Sequence, residues 1–205
     1  RGKVIIPSFA IGRTQMLLYY LDGLFSSGAI PPVTVALDTP LGLAITETYD
    51  KYRPLFDKET LTRLEEGDDP LDWEGLFSVE RGRDSYRLVD DPGPYIVIAG
   101  SGMCQGGRIM RHLAAGLDDA QNTVLFVGYQ GHGTLGRRIQ RAAPDGDTVR
   151  IDDEAVPVRA RVETLRGLSA HADRRELVDW LRCIPGLRRV ALHHGEADAQ
   201  RAFAT

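Results

Sequence analysis

Lysine is nearly missing from this chain of 205 residues: Lys3, Lys51 and Lys58 are the only three, so 22 of the 25 cations are arginine. Cysteine is scarce too, with Cys104 and Cys183 far apart and no CxxC. That excludes a disulfide scaffold and reads as two reduced thiols in a cytoplasmic protein. No apolar run approaches the length of about 18 residues that a membrane helix needs, so no membrane partner is expected. No secretory signal is visible, because Arg1-Gly2-Lys3 runs straight into a strand-like segment. Methionine does not open the chain, so a piece of something longer is expected. A large excess of positive charge is also absent. The net charge of −4 argues against gripping nucleic acid by bulk charge, although it allows a local basic groove.

What is present is the balance of an ordinary globular protein, 42% hydrophobic and 26% charged. At this length roughly 70% of the unfolded surface can be buried, enough for folding without a structural metal. The arginine bias suits bidentate phosphate recognition, with genome composition as the bland alternative. Strand and helix patterns alternate along the chain. Strands are expected at Val4–Ile6, Val33–Leu37, Tyr95–Ala99, Thr123–Val127, Thr148–Ile151, Arg161–Leu165 and Val190–Leu192. Helices are expected at Ile11–Phe25, Leu43–Tyr52, Leu61–Asp69, Gly106–Leu117, Leu135–Ala142, Arg174–Arg182 and Ala197–Ala204. The stretch Gly67–Pro94 reads as the least regular part, its charges forming a solvated face or an insertion. Such alternation predicts an α/β fold, a mainly parallel sheet with helices on both faces. Ligands in such sheets collect at the carboxyl ends of the strands.

Four of those ends carry candidate chemistry. Gly100-Ser101-Gly102-Met103-Cys104-Gln105-Gly106-Gly107 lies between a buried strand and a helix. Its small residues admit close backbone approach, and the helix end suits a phosphate. A dinucleotide fingerprint fails, since Gln105 stands where GxGxxG needs glycine. A tight strand-to-helix turn explains the segment equally well. Gly128-Tyr129-Gln130-Gly131-His132-Gly133-Thr134-Leu135-Gly136-Arg137-Arg138 is either a phosphate-contacting rim or a mobile loop with solvated charges. In Ser169-Ala170-His171-Ala172-Asp173, Ser169 or Asp173 can cap the helix, and His171 can titrate or touch phosphate. His193-His194-Gly195-Glu196 offers imidazoles, but zinc wants three or four ligands and the chain has five histidines with no HxHxDH or HExxH.

Taken in order, these segments resemble the second half of the metallo-β-lactamase-fold nucleases of the β-CASP type. That family includes ribonuclease J and the endonuclease subunit of the polyadenylation machinery. The stretches that carry the resemblance begin with Val4 to Gln15 and Leu37-Asp38-Thr39-Pro40-Leu41. Ala99 to Met103, Gly128-Tyr129-Gln130 with Gly133 to Arg137, Leu168 to Asp173 and His194-Gly195-Glu196 follow. Each is weak singly; six in sequence order are specific.

The resemblance implies a β-CASP domain over residues 1–158 and, over 159–205, the C-terminal strand–helix portion of the lactamase fold. It implies a zinc-dependent nuclease that hydrolyses phosphodiester bonds in single-stranded RNA, endonucleolytic rather than exonucleolytic, with two zinc ions in the full-length enzyme. His171 falls on a motif whose histidine contacts the scissile phosphate or protonates the leaving oxygen. His194 falls on one whose histidine completes the zinc site. Ser101, Gly102, Arg137 and Ser169 would bind substrate. The half bearing HxHxDH would lie before Arg1, so this chain alone is expected to hold little or no zinc and to be inactive. Asp173 stands where ribonuclease J-like members carry a serine, which favours the polyadenylation-factor branch. A homodimer is compatible with the reading. The alternatives are a non-catalytic RNA- or protein-binding β-CASP module and, more remotely, a nucleotide-binding α/β enzyme.

Overall fold

The run Tyr95-Ile96-Val97-Ile98-Ala99 has no polar alternation, and all five of its side chains are buried. Such a strand needs a covering layer on each face. In this computed structural model, which describes residues 2–204, it forms β4 (Tyr95–Ala99) inside a six-stranded sheet. Arg1 and Thr205, the outer ends of the two expected segments, lie outside the described residues. The other strands of the sheet are β1 (Val4–Pro7), β2 (Thr34–Asp38), β3 (Leu76–Ser78), β5 (Thr123–Phe126) and β8 (Arg161–Thr164). Their order is β3-β2-β4-β1-β5-β8 and every pairing is parallel. Two further strands, β6 (Thr148–Ile151) and β7 (Glu154–Pro157), pair antiparallel in a separate hairpin.

The strand period of two sends neighbouring side chains to opposite faces. Ile6, Val35, Leu37, Ile96 and Ile98 pack on one face with Leu17 and Leu18 of α1 (Arg13–Ser26). Ile5, Val97, Val124 and Phe126 pack on the other with Ile109 and Leu113 of α5 (Ile109–Gly116) and Ile139 of α6 (Leu135–Ala142). Helices α2 (Pro40–Lys51), α3 (Lys58–Glu65) and α4 (Gly82–Asp90) complete this part. The sheet is thus α/β with helices on both faces, as the alternation predicts.

Two expectations need correction, and one strand was not expected. Gly67–Pro94 is more regular than expected: its charges Glu80, Arg81 and Arg83 are exposed, but it supplies β3 and α4, and α4 buries Ser85 and packs Leu88 on the core. Its apolar face is too sparse among charges to stand out in sequence. β7 was not foreseen, because Asp152 and Asp153 close the hairpin with positive φ of 46° and 69° in place of the usual glycine signal. Val190–Leu192 forms no strand; Val190 and Leu192 are exposed, and apolar β-branched character alone supplies no pairing edge.

The chain divides into two compact units, Arg1–Leu168 and Ser169–Thr205. The second carries α7 (Arg174–Arg182) and α8 (Ala197–Ala204). Asp173 caps α7 in a capping box: its side chain accepts from Glu176 N at 2.8 Å, and Glu176 Oε2 accepts from Asp173 N at 2.8 Å. None of the described residues of this unit is buried.

Candidate functional site

Register brings three strand ends level in the first unit. Pro7 and Asp38 both pair with Ala99, so Ser8, Thr39 and Gly100 follow side by side at the carboxyl edge. A cleft of about 550 Å³ opens there, lined by Phe9, Pro40, Leu41, Ser101, Gly102 and Arg108 among others. At its floor Asp38 is fully buried. Its carboxylate accepts hydrogen bonds from Ser85 Oγ at 2.6 Å and Arg108 Nη1 at 2.8 Å, and lies 2.7 Å from His112 Nε2. Burial opposes ionisation of Asp38, but the hydrogen bonds from His112, Ser85 and Arg108 outweigh it and hold the carboxyl below its ordinary range. Arg108 also donates to the carbonyls of Val79 and Glu80, tying β2, α5 and the end of β3 together.

Phe9 follows β1 and remains 43% exposed. Its backbone is held firmly: the Phe9 carbonyl accepts from Thr14 N at 3.2 Å, Thr14 Oγ1 at 2.8 Å and Ser8 Oγ at 3.2 Å. One ring edge rests on two glycines. A Cβ on Gly102 would stand 2.7 Å from Phe9 Cδ2, and one on Gly128 3.4 Å from Cε2. Buried Gln130 clips the same two loops, its Nε2 donating to Gly102 O at 2.8 Å and Gly128 O at 3.1 Å.

The Gly100–Gly107 turn uses several of its amides internally. Ser101 N donates to Gly106 O, Cys104 N to Ser101 O, Gln105 N to Ser101 Oγ and Ile109 N to Gly100 O. Gly107, at φ 78°, is required because a Cβ there would meet Gly100 O at 2.5 Å. Burial pushes the Cys104 thiol up to about 12, so it is no nucleophile at neutral pH. Arg137 sits in the first turn of α6, whose N-cap Thr134 accepts from Arg137 N at 3.2 Å. Its Nη1 donates weakly to Gln140 Oε1 at 3.4 Å, while its Nε is buried without a hydrogen-bond partner.

In the second unit, His171 and His194 lie together. Their ring centroids are 6.4 Å apart and their planes 15° from parallel. Ser169 Oγ accepts from His171 N at 3.2 Å, so Ser169 shapes the turn that carries the imidazole. His194 stands at φ 60°, directly before Gly195. Zinc closes on three or four donors. Among the described residues no group of three or more His, Cys, Asp or Glu is placed to hold a metal ion. The residues that sequence reasoning passed over are Phe9, Asp38, His112 and Gln130. Phe9, Asp38 and Gln130 stood inside recognised motifs, where a buried or exposed environment could not be read. For His112 the signal was a lone histidine on an apolar helix face.

Among known proteins, the Beta-Casp domain model matches residues 14–139. The model for the Zn-dependent metallo-hydrolase RNA specificity domain matches residues 155–205. The chain is 42% identical over 198 residues to Ribonuclease TTHA0252 of Thermus thermophilus, covering 96% of this chain and 44% of that protein. It is 33% identical over 210 residues to Transcription termination factor FttA of Methanosarcina mazei, covering 97% of this chain and 32% of that one. It is 36% identical over 202 residues to FttA of Methanococcus maripaludis, covering 96% and 31%. The chain therefore spans less than half the length of each of these relatives. Among the described residues no helix is long and apolar enough to cross a membrane.

Proposed function

The chain belongs to the Beta-Casp family, and from that premise we propose that it is the C-terminal part of a zinc-dependent ribonuclease. Its substrate is single-stranded RNA, cut endonucleolytically in the cytoplasm. The observation that carries this reading is the pairing of His171 with His194, two imidazoles from separate loops stacked 6.4 Å apart. His171 handles the scissile phosphate or the leaving oxygen, roles open to an imidazole because its ring nitrogens can donate or accept a proton. His194 contributes one ligand to a zinc site, nominally of two ions, whose other donors belong to polypeptide outside this chain. Ser169 positions His171, and Ser101, Gly102 and Arg137 line the path of the RNA strand.

The second unit supports the idea of missing polypeptide. Leu177, Trp180, Leu187 and Val190 are all exposed, and a unit with no buried residue has no core of its own. The test compares this chain with the longer gene product containing it, on labelled single-stranded RNA with zinc. The longer protein cuts internally and this chain does not. In the longer protein His171→Ala and His194→Ala each lower cleavage by about 100-fold or more while RNA binding stays within a few-fold. Cleavage by His171→Ala at the parental rate overturns the assignment. Tight RNA binding with no cleavage by the longer parent favours a non-catalytic binding module instead.

A further inference from the structure

We propose that Phe9 is a stacking platform for an unpaired nucleobase of single-stranded RNA. The inference rests on the RNA reading above and adds to it a residue that takes the base rather than the phosphate. A phenylalanine at a strand tip, 43% exposed, gives up the stabilisation that burial of its ring would bring. Here the exposure is built in. Three hydrogen bonds to its carbonyl fix the backbone, and Gly102 and Gly128 leave room for one ring edge. Gln130 holds both glycine loops at that spacing. The ring is therefore presented, in one position, to a cleft whose volume of about 550 Å³ lies within the range of small-ligand sites.

Charge decides the occupant. Arg13 at the start of α1 and Arg137 and Arg138 at the start of α6 stand at this same carboxyl edge. The carboxylate that lines the cleft, Asp38, is buried and already engaged by Arg108 and His112. An aromatic platform at a sheet edge where two helices begin with arginines fits a polyanion with flat apolar bases. Such stacking tolerates any base, because each has a π-face.

Fluorescence anisotropy tests this on the full chain at constant salt, with two probes: a labelled oligouridylate of about ten nucleotides and the same strand with abasic sites. The parent chain binds the base-bearing strand about tenfold more tightly. Phe9→Leu removes that preference without changing affinity for the abasic strand, which also reports that the variant is folded. Phe9→Tyr keeps the preference, and so does Tyr52→Leu, an exposed aromatic at the opposite end of α2. No preference in the parent, an unaltered preference in Phe9→Leu, or an equal loss on both strands overturns the proposal while leaving the RNA reading intact. Failure of the parent to bind either strand overturns this proposal, and failure of the longer gene product to do so removes the RNA reading as well.

Discussion

Asp38→Asn is the substitution for which the structure gives the firmest number. The amide keeps the shape of the side chain and removes its charge. Asp38 is fully buried, Arg108 is nearly so and His112 has almost no exposed side chain. The three partners crowd two carboxylate oxygens: Ser85 and His112 on Oδ2, Arg108 on Oδ1. An amide nitrogen facing Arg108 puts donor against donor, one facing Ser85 and His112 requires both to turn acceptor, and in either case the Arg108 charge loses its counter-ion. Breaking a buried pair on one side costs about 3–5 kcal/mol. At about 2–4 °C per kcal/mol for a domain of this size, the melting temperature falls by roughly 10 °C at pH 7. The pH dependence has a definite sign. The folded carboxyl titrates below its unfolded value of about 3.9, so its contribution is complete above that value and is lost as pH falls through the folded one. Thermal and urea unfolding at pH 7, 5 and 3 should show the gap between parent and variant narrowing only in the most acid sample. A difference under about 1 kcal/mol at pH 7, or a gap that widens in acid, refutes the argument.

Two other expectations concern ligands. In the longer gene product, Arg137→Gln should flatten the log–log salt dependence of single-stranded RNA binding by about 0.7, the share of one phosphate contact; an unchanged slope makes Arg137 a surface charge. This chain, purified and dialysed against zinc, should retain well under one equivalent by atomic absorption, since no three donors converge among the described residues. Stoichiometric zinc would show that its two histidines find further ligands.

The parallel sheet was legible because its signals are local and strong. Tyr95–Ala99 and Leu135–Ala142 fall where hydrophobic periodicity puts them. Val190–Leu192 failed because a strand is defined by its neighbour, and three apolar residues carry no information about one. The hairpin of β6 and β7 escaped for the opposite reason: the pairing is real, but an Asp-Asp turn is a weak announcement of it. The polar network on the cleft floor could not be read at all. Asp38 meets its partners across 47, 70 and 74 positions of sequence, and no spacing rule reaches that far. The family motifs were legible as a series, yet the motif around Asp38 said nothing of why an aspartate stands there.

The glycines of the cleft argue the same point more sharply. In sequence, Gly100 to Gly107 serves a phosphate cradle and a tight turn equally well. In the fold, the amides of Ser101, Cys104, Gln105 and Ile109 already donate within the turn or to its flanks. The space left by Gly107 is taken by the carbonyl of Gly100, and the space beside Gly102 by an aromatic ring. These absences of side chain accommodate protein atoms. An anion arriving at this edge therefore meets guanidinium groups sooner than those amides. The fixed element of the cleft is its ring. Position along an RNA strand would then be set by a stacked base and affinity by charge, so salt should weaken binding by the parent and Phe9→Leu with the same slope. A slope that changes with Phe9 would mean the ring also orders the arginines.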